Sequence, residues 1–78
     1  MSQLKIYEEV FIQQLDLSPE QIVGLTYQSV PSWDSVGHMG LITALEEAFD
    51  IVIDMDDIID LSSYEKGIEI LAKYNVKF

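Results

Sequence analysis

Asp34, Ser35 and His38 place a carboxylate, a hydroxyl and an imidazole within a single short stretch, Trp33-Asp34-Ser35-Val36-Gly37-His38-Met39-Gly40. Two chemistries are open to that set. The first is modification of the hydroxyl. Asp34 is a good N-cap, which puts Ser35 in the first turn of a helix. The N–H groups there lack intrahelical partners and the helix dipole is positive, so a phosphate ester on Ser35 would be stabilised. The second is nucleophilic catalysis, because Ser35 and His38 are three apart and can share a helix face. A catalytic triad needs the base between nucleophile and carboxylate, together with an oxyanion hole and a pocket. Three side chains on one turn do not meet those demands, so catalysis is disfavoured; taken alone, Asp34-Ser35 reads as a plain helix start, the surrounding pattern is what points to modification, and His38 is expected to be a surface residue beside the serine.

Periodic apolar residues set the elements around this stretch. Leu4, Tyr7, Val10, Phe11 and Leu15 fall on one face of a first helix. Ser18-Pro19-Glu20-Gln21 has a cap, a proline at the first helical position and a capping-box glutamine, but Gly24 allows only a short turn. The segment from Leu25 to Trp33 has no clean period and contains Pro31. It predicts a long loop pinned to the core by Leu25, Tyr27, Val30 and Trp33. Asp34 to Phe49 predicts the second main helix, with Leu41, Ile42, Leu45 and Phe49 inward.

Ile51-Val52-Ile53 has strand-like residues but no second strand to pair with, so it predicts a loop. Asp54 to Asp60 predicts a short helical piece carrying Met55, Ile58 and Ile59. Ser62-Ser63-Tyr64-Glu65 reads as a capping box opening a last helix, with Tyr64, Ile68 and Leu71 on one face. The expectation is an all-α bundle: three main helices, one short helix and a long first loop, forming a single domain over 1–78.

Composition limits what such a bundle can do. The chain has 78 residues, 49% of them hydrophobic, enough for one core but little bulk for a walled active site. Fourteen acids against four lysines give a net charge of −10. That field opposes nucleic acid and anionic membranes and attracts basic protein surfaces. There is no cysteine, which excludes disulfides, zinc thiolates and cysteine nucleophiles and fits a cytoplasmic location. Met1-Ser2-Gln3-Leu4-Lys5 lacks the pattern of a signal peptide, and no apolar run reaches membrane-spanning length. Glu46, Glu47, Asp50, Asp54, Asp56, Asp57 and Asp60 form an acidic belt without the order of an EF-hand. It is expected to be a solvated surface that attracts basic partners. No metal ligand set is expected.

Asp34, Ser35, Val36, Leu41, Ile42, Leu45, Glu46 and Phe49 together carry a resemblance. In residue type, spacing, length, acidity and helix order the chain resembles the acyl carrier proteins, the phosphopantetheine-attachment family. The resemblance implies that Ser35 receives a 4′-phosphopantetheine arm from coenzyme A through a phosphopantetheinyl transferase and Mg²⁺, with Asp34 assisting the metal. It implies that the arm's thiol carries acyl or aminoacyl groups as thioesters for loading ligases and downstream synthases, and that the chain itself is not an enzyme. Val36, Met39, Glu46 and Glu47 match the surface that family partners grip with basic patches.

The chain departs from many fatty-acid-type members in having Val36 after the serine and Gly40 where an acid is usual. The wording Trp-Asp-Ser-Val-Gly-His looks like stand-alone carriers of specialised pathways. Gly37 and Gly40 each cost a helix about 1 kcal/mol relative to alanine, and the expectation is that they let an arm or a partner approach the backbone. A carrier of D-alanine or another amino acid, and an unmodified acidic interaction module, are the alternative readings. A monomer is expected.

Overall fold

The structure is a computed structural model and describes residues 2–78; Met1, the first residue of the N-terminal stretch read above, lies outside the described residues. Its elements are α1 (Gln3–Leu15), a 3₁₀ turn (Pro19–Ile22), α2 (Ser35–Phe49), α3 (Met55–Asp60) and α4 (Tyr64–Ala72). This is the expected all-α bundle of three longer helices, one short helix and a long first loop. Among the described residues no strand forms, and Ile51-Val52-Ile53 is loop.

α1 begins where the Ser2 hydroxyl accepts the Lys5 N–H at 3.2 Å. Tyr7, Phe11 and Leu15 follow at i, i+4 and i+8 and are fully buried, whereas Leu4 is exposed. α1 packs chiefly on α2, whose Leu41, Ile42 and Leu45 face it from the same core. Both helices stop in the same way. Asp16 and Asp50 take left-handed conformations (φ 54° and 53°). The next residues, Leu17 and Ile51, donate back to the Ile12 and Glu46 carbonyls at 3.0 Å. That closes each helix and returns an apolar side chain to the core.

The long loop is tied down at both ends. Its first part forms the isolated bridge between Thr26 and Ser63: the Tyr27 N–H donates to the Ser62 carbonyl at 2.8 Å, and Tyr64 N–H donates to the Leu25 carbonyl at 3.0 Å. Its last part buries Trp33 completely, edge-on to Phe11 at 5.5 Å. Ser32 hydroxyl donates to the Leu15 carbonyl at 2.7 Å.

The bridge also corrects the expected start of the last helix. Ser62 spends its carbonyl on Tyr27, and it is Ser63 that caps α4, its hydroxyl accepting Lys66 N–H at 2.9 Å. The buried face of α4 is Gly67, Ile70 and Leu71, with Tyr64 and Ile68 half-buried beside it. At Gly67 a Cβ would lie 2.1 Å from the Tyr7 hydroxyl. The missing side chain is what lets that phenol reach the Tyr64 carbonyl at 2.6 Å. Burial pushes the Tyr7 phenol far above its ordinary value, and the neighbouring Tyr64 adds to the effect.

Candidate functional site

The site is built at the start of α2. Asp34 has an extended backbone, and its Oδ1 accepts the Gly37 N–H at 2.8 Å while its carbonyl accepts His38 N–H at 2.8 Å. This is the N-cap the sequence indicates. Ser35 is therefore the first helical residue, and it is exposed. The N–H groups of Ser35 and Val36 precede the first intrahelical bond and are not taken by the cap.

Ser35 stands on the rim of a groove of about 370 Å³ between the start of α2 and α3. Tyr27, His38, Met39, Ile58, Ile59, Leu61 and Ser62 form the rest of its wall. The sequence reading missed the groove, because its wall comes from the loop, α2, α3 and the segment before α4. Met55, Ile58 and Ile59 stand at i, i+3 and i+4, the spacing of one buried helix face, so the sequence carried no signal that this face would be left open. Met55 and Ile59 are in fact 74% and 73% exposed.

His38 departs from expectation. It is not a free surface residue: Trp33 Nε1–H donates to its Nδ1 at 2.9 Å, and its Nε2 lies 2.7 Å from the Ile58 carbonyl. An indole nitrogen can only donate, so Nδ1 is the acceptor and the ring is neutral with its proton on Nε2. Both nitrogens are committed, and neither is left to act as a base for Ser35.

The other expected site residues divide. Val36 is 80% exposed, and Met39 and Glu47 are also exposed, so all three are open to a partner. Glu46 is half-buried, and its Oε2 accepts the Ile53 N–H at 2.8 Å, because the loop after α2 offers that N–H no backbone partner. The acidic belt is likewise not uniform. Asp57 is buried, with Lys73 Nζ at 2.6 Å from Oδ1 and the Tyr74 hydroxyl donating to Oδ2 at 2.5 Å. The bond from Lys73, then that from Tyr74, hold its carboxyl below the usual carboxylate range.

The two glycines of α2 have different surroundings. A Cβ on Gly37 would lie 2.0 Å from the Ser32 carbonyl, so the close approach there is made by the protein's own loop. A Cβ on Gly40 would meet only the Gln14 side chain, at 3.5 Å, an ordinary contact. Among the described residues no group of three or more histidine or acidic side chains is placed to hold a metal, and no helix is long and apolar enough to cross a membrane.

No protein-family model matches the chain, and no curated protein does. What the site can do therefore rests on its residues. It presents an exposed primary hydroxyl at a capped helix start, with free N–H groups beside it and an apolar groove at its foot.

Proposed function

We propose that this chain is a carrier, with Ser35 as the attachment point of a 4′-phosphopantetheine arm. The observation that carries the reading is the setting of Ser35: first residue of α2, exposed, capped by Asp34 and on the rim of the groove. The residues fit such a group. Ser35 Oγ supplies the ester oxygen, and the N–H groups of Ser35 and Val36, with the positive end of the helix dipole, favour a phosphate ester next to them. Asp34 uses Oδ1 on Gly37 and, among the described residues, keeps Oδ2 clear of hydrogen bonds, open to a Mg²⁺ ion during modification. When attached, the arm supplies a thiol that holds acyl or aminoacyl cargo as a thioester.

Val36, Met39 and Glu47 provide an exposed apolar and acidic surface beside Ser35, and the net charge of −10 draws transferases, loading ligases and synthases with basic patches toward it. Glu46 contributes to that surface only with the oxygen it does not spend on Ile53. The commitment of both His38 nitrogens speaks for a tethering serine over a hydrolytic one.

The test is an intact-mass measurement after incubation with coenzyme A, Mg²⁺ and a broad-specificity phosphopantetheinyl transferase. The expected result is a gain of one phosphopantetheine, abolished in Ser35→Ala. No gain, or a gain that survives Ser35→Ala, removes the carrier reading and leaves an unmodified acidic module. Loading of the modified chain by amino-acid or by fatty-acid ligases then separates an aminoacyl carrier from an acyl carrier.

A further inference from the structure

The groove beside Ser35 selects among occupants. Its bed is apolar, made by Met39, Ile58, Ile59 and Leu61. Met39 and Ile59 are 53% and 73% exposed, so a ligand laid over them takes apolar surface out of water. No carboxylate or ammonium lines the groove. Its polar groups are the hydroxyls of Tyr27 and Ser62 and, at the rim, Ser35 itself, because the His38 ring is spent on Trp33 and Ile58. Among the described residues the Tyr27 and Ser62 hydroxyls make no hydrogen bond, and no buried side-chain oxygen lacks a partner, so both are open to a ligand.

An apolar bed with a few hydroxyls is the pattern of a small-molecule site. About 370 Å³ is near the lower end of the range of about 300–1,000 Å³ that such sites span. That size takes a short fragment with a few carbons and an amide or two, not a helix of a partner. The wall is also set before anything binds. Ile58 packs on the core, Leu61 is buried, and His38 ties the end of the loop to α3. A preformed wall spares a ligand the cost of ordering it.

We propose that this groove holds the 4′-phosphopantetheine arm itself: Met39, Ile58, Ile59 and Leu61 take its dimethyl-bearing portion next to the phosphate, and the Tyr27 and Ser62 hydroxyls serve its amides. The inference rests on the carrier reading of Ser35 and goes beyond it, because attachment alone asks nothing of the groove. Position and chemistry choose this occupant. Ser35 is on the rim, so a group esterified there starts at the edge of the groove and has a high effective concentration over it. Beyond its phosphate the arm is uncharged, as the groove is. Its paired methyls suit the apolar bed, and its amides need hydrogen-bond partners. A basic partner segment finds no counter-charge in the groove, whereas Glu47 and Asp56, outside it, are exposed. Between encounters the arm is parked along α2 and α3, and a partner that draws it out must compete with the groove.

The experiment follows the full chain by NMR before and after modification with coenzyme A, Mg²⁺ and a phosphopantetheinyl transferase, using an isotope-labelled arm, with intact mass as the measure of attachment. The methyl signals of Met39, Ile59 and Leu61 are expected to move on modification, in addition to the signals of Ser35 and Val36. Nuclear Overhauser contacts are expected from the arm's methyls to Ile59. Ile59→Ser changes an exposed position and keeps the fold. It is expected to accept the arm in full and yet to weaken those contacts several-fold, because apolar surface under the arm is lost. Val52→Ser, similarly exposed and outside the groove, is expected to leave them unchanged.

The inference is overturned, and the carrier reading stands, if the chain gains the mass of the arm but the shifts stay within Asp34 to Gly37. The same holds if Ile59→Ser leaves the contacts as they were. No gain of mass removes the carrier reading and this inference with it.

Discussion

α1 buries Tyr7, Phe11 and Leu15 in the core, whereas α3 buries only Asp57 and leaves Met55 and Ile59 in water. α1 is held by apolar burial, which is non-directional and hard for solvent to compete with. α3 is held by one half-buried apolar side chain, Ile58, and by directed polar contacts. Its Asp57 takes Lys73 and Tyr74, the Asp54 N–H donates to the Tyr74 hydroxyl at 2.9 Å, and the Ile58 carbonyl takes His38. Such contacts fix a position sharply but yield to water and to protons. The difference predicts that the α3 side of the bundle, beside Ser35, yields to acid before the α1 side.

The comparison can be broken most forcefully on the α1 side. Phe11→Ala is expected to destabilise the whole fold by about 3–5 kcal/mol, read as a lowered denaturation midpoint with α1 and α2 melting together. A loss below about 1 kcal/mol would show that α1 is not the element on which the core depends.

Next in size is the junction of loop and α2. Gly37→Ala must displace the Ser32 carbonyl and is expected to cost about 1–3 kcal/mol. Gly40→Ala meets only a flexible glutamine and is expected to stabilise by about 1 kcal/mol, the ordinary gain of alanine over glycine in a helix. Equal effects of the two in thermal denaturation would overturn the distinction between them.

The polar half is sharpened by pH. Asp57 has a lowered folded value, so its contribution is fully present above about pH 4 and is lost as pH falls through that lowered value. Lys73 and Tyr74 are both raised, chiefly by their bonds to Asp57. Their contributions are fully present below their ordinary values and are lost only as pH rises through the raised ones. Acid is therefore expected to disturb the amides of α3 before those of α1, followed by NMR. Asp57→Asn should show α3 already disturbed at neutral pH and should lack the acid step. The smallest expected effect belongs to Ile59→Ala, which changes an exposed side chain and should leave stability within about 0.5 kcal/mol.

The elements were legible in the sequence because each rests on local signals. Asp34 three residues before Gly37, and apolar residues at helical spacing in α1 and α2, need no distant partner to be recognised. The placement of Ser35 followed from the same local cap. What escaped depends on contacts across the chain. His38 looked free because one of its two partners, Ile58, lies twenty residues on. Ser62 lost its cap role to Ser63 because Tyr27 claims its carbonyl from far upstream. Glu46 looked like surface until the loop after α2 supplied an N–H for it to accept. Gly37 looked like an opening for a ligand, while the Ser32 carbonyl already fills it.

The two helix endings at Asp16 and Asp50 have a consequence for engineering. Each puts a residue with a Cβ into a left-handed conformation, and each adds a negative charge where the helix carbonyls already concentrate negative charge. Glycine at either position would relieve both penalties, and asparagine the charge alone, without touching the groove or Ser35. Natural selection has left these two corners unhardened, so a sturdier version of the chain can be made at sites remote from its working surface.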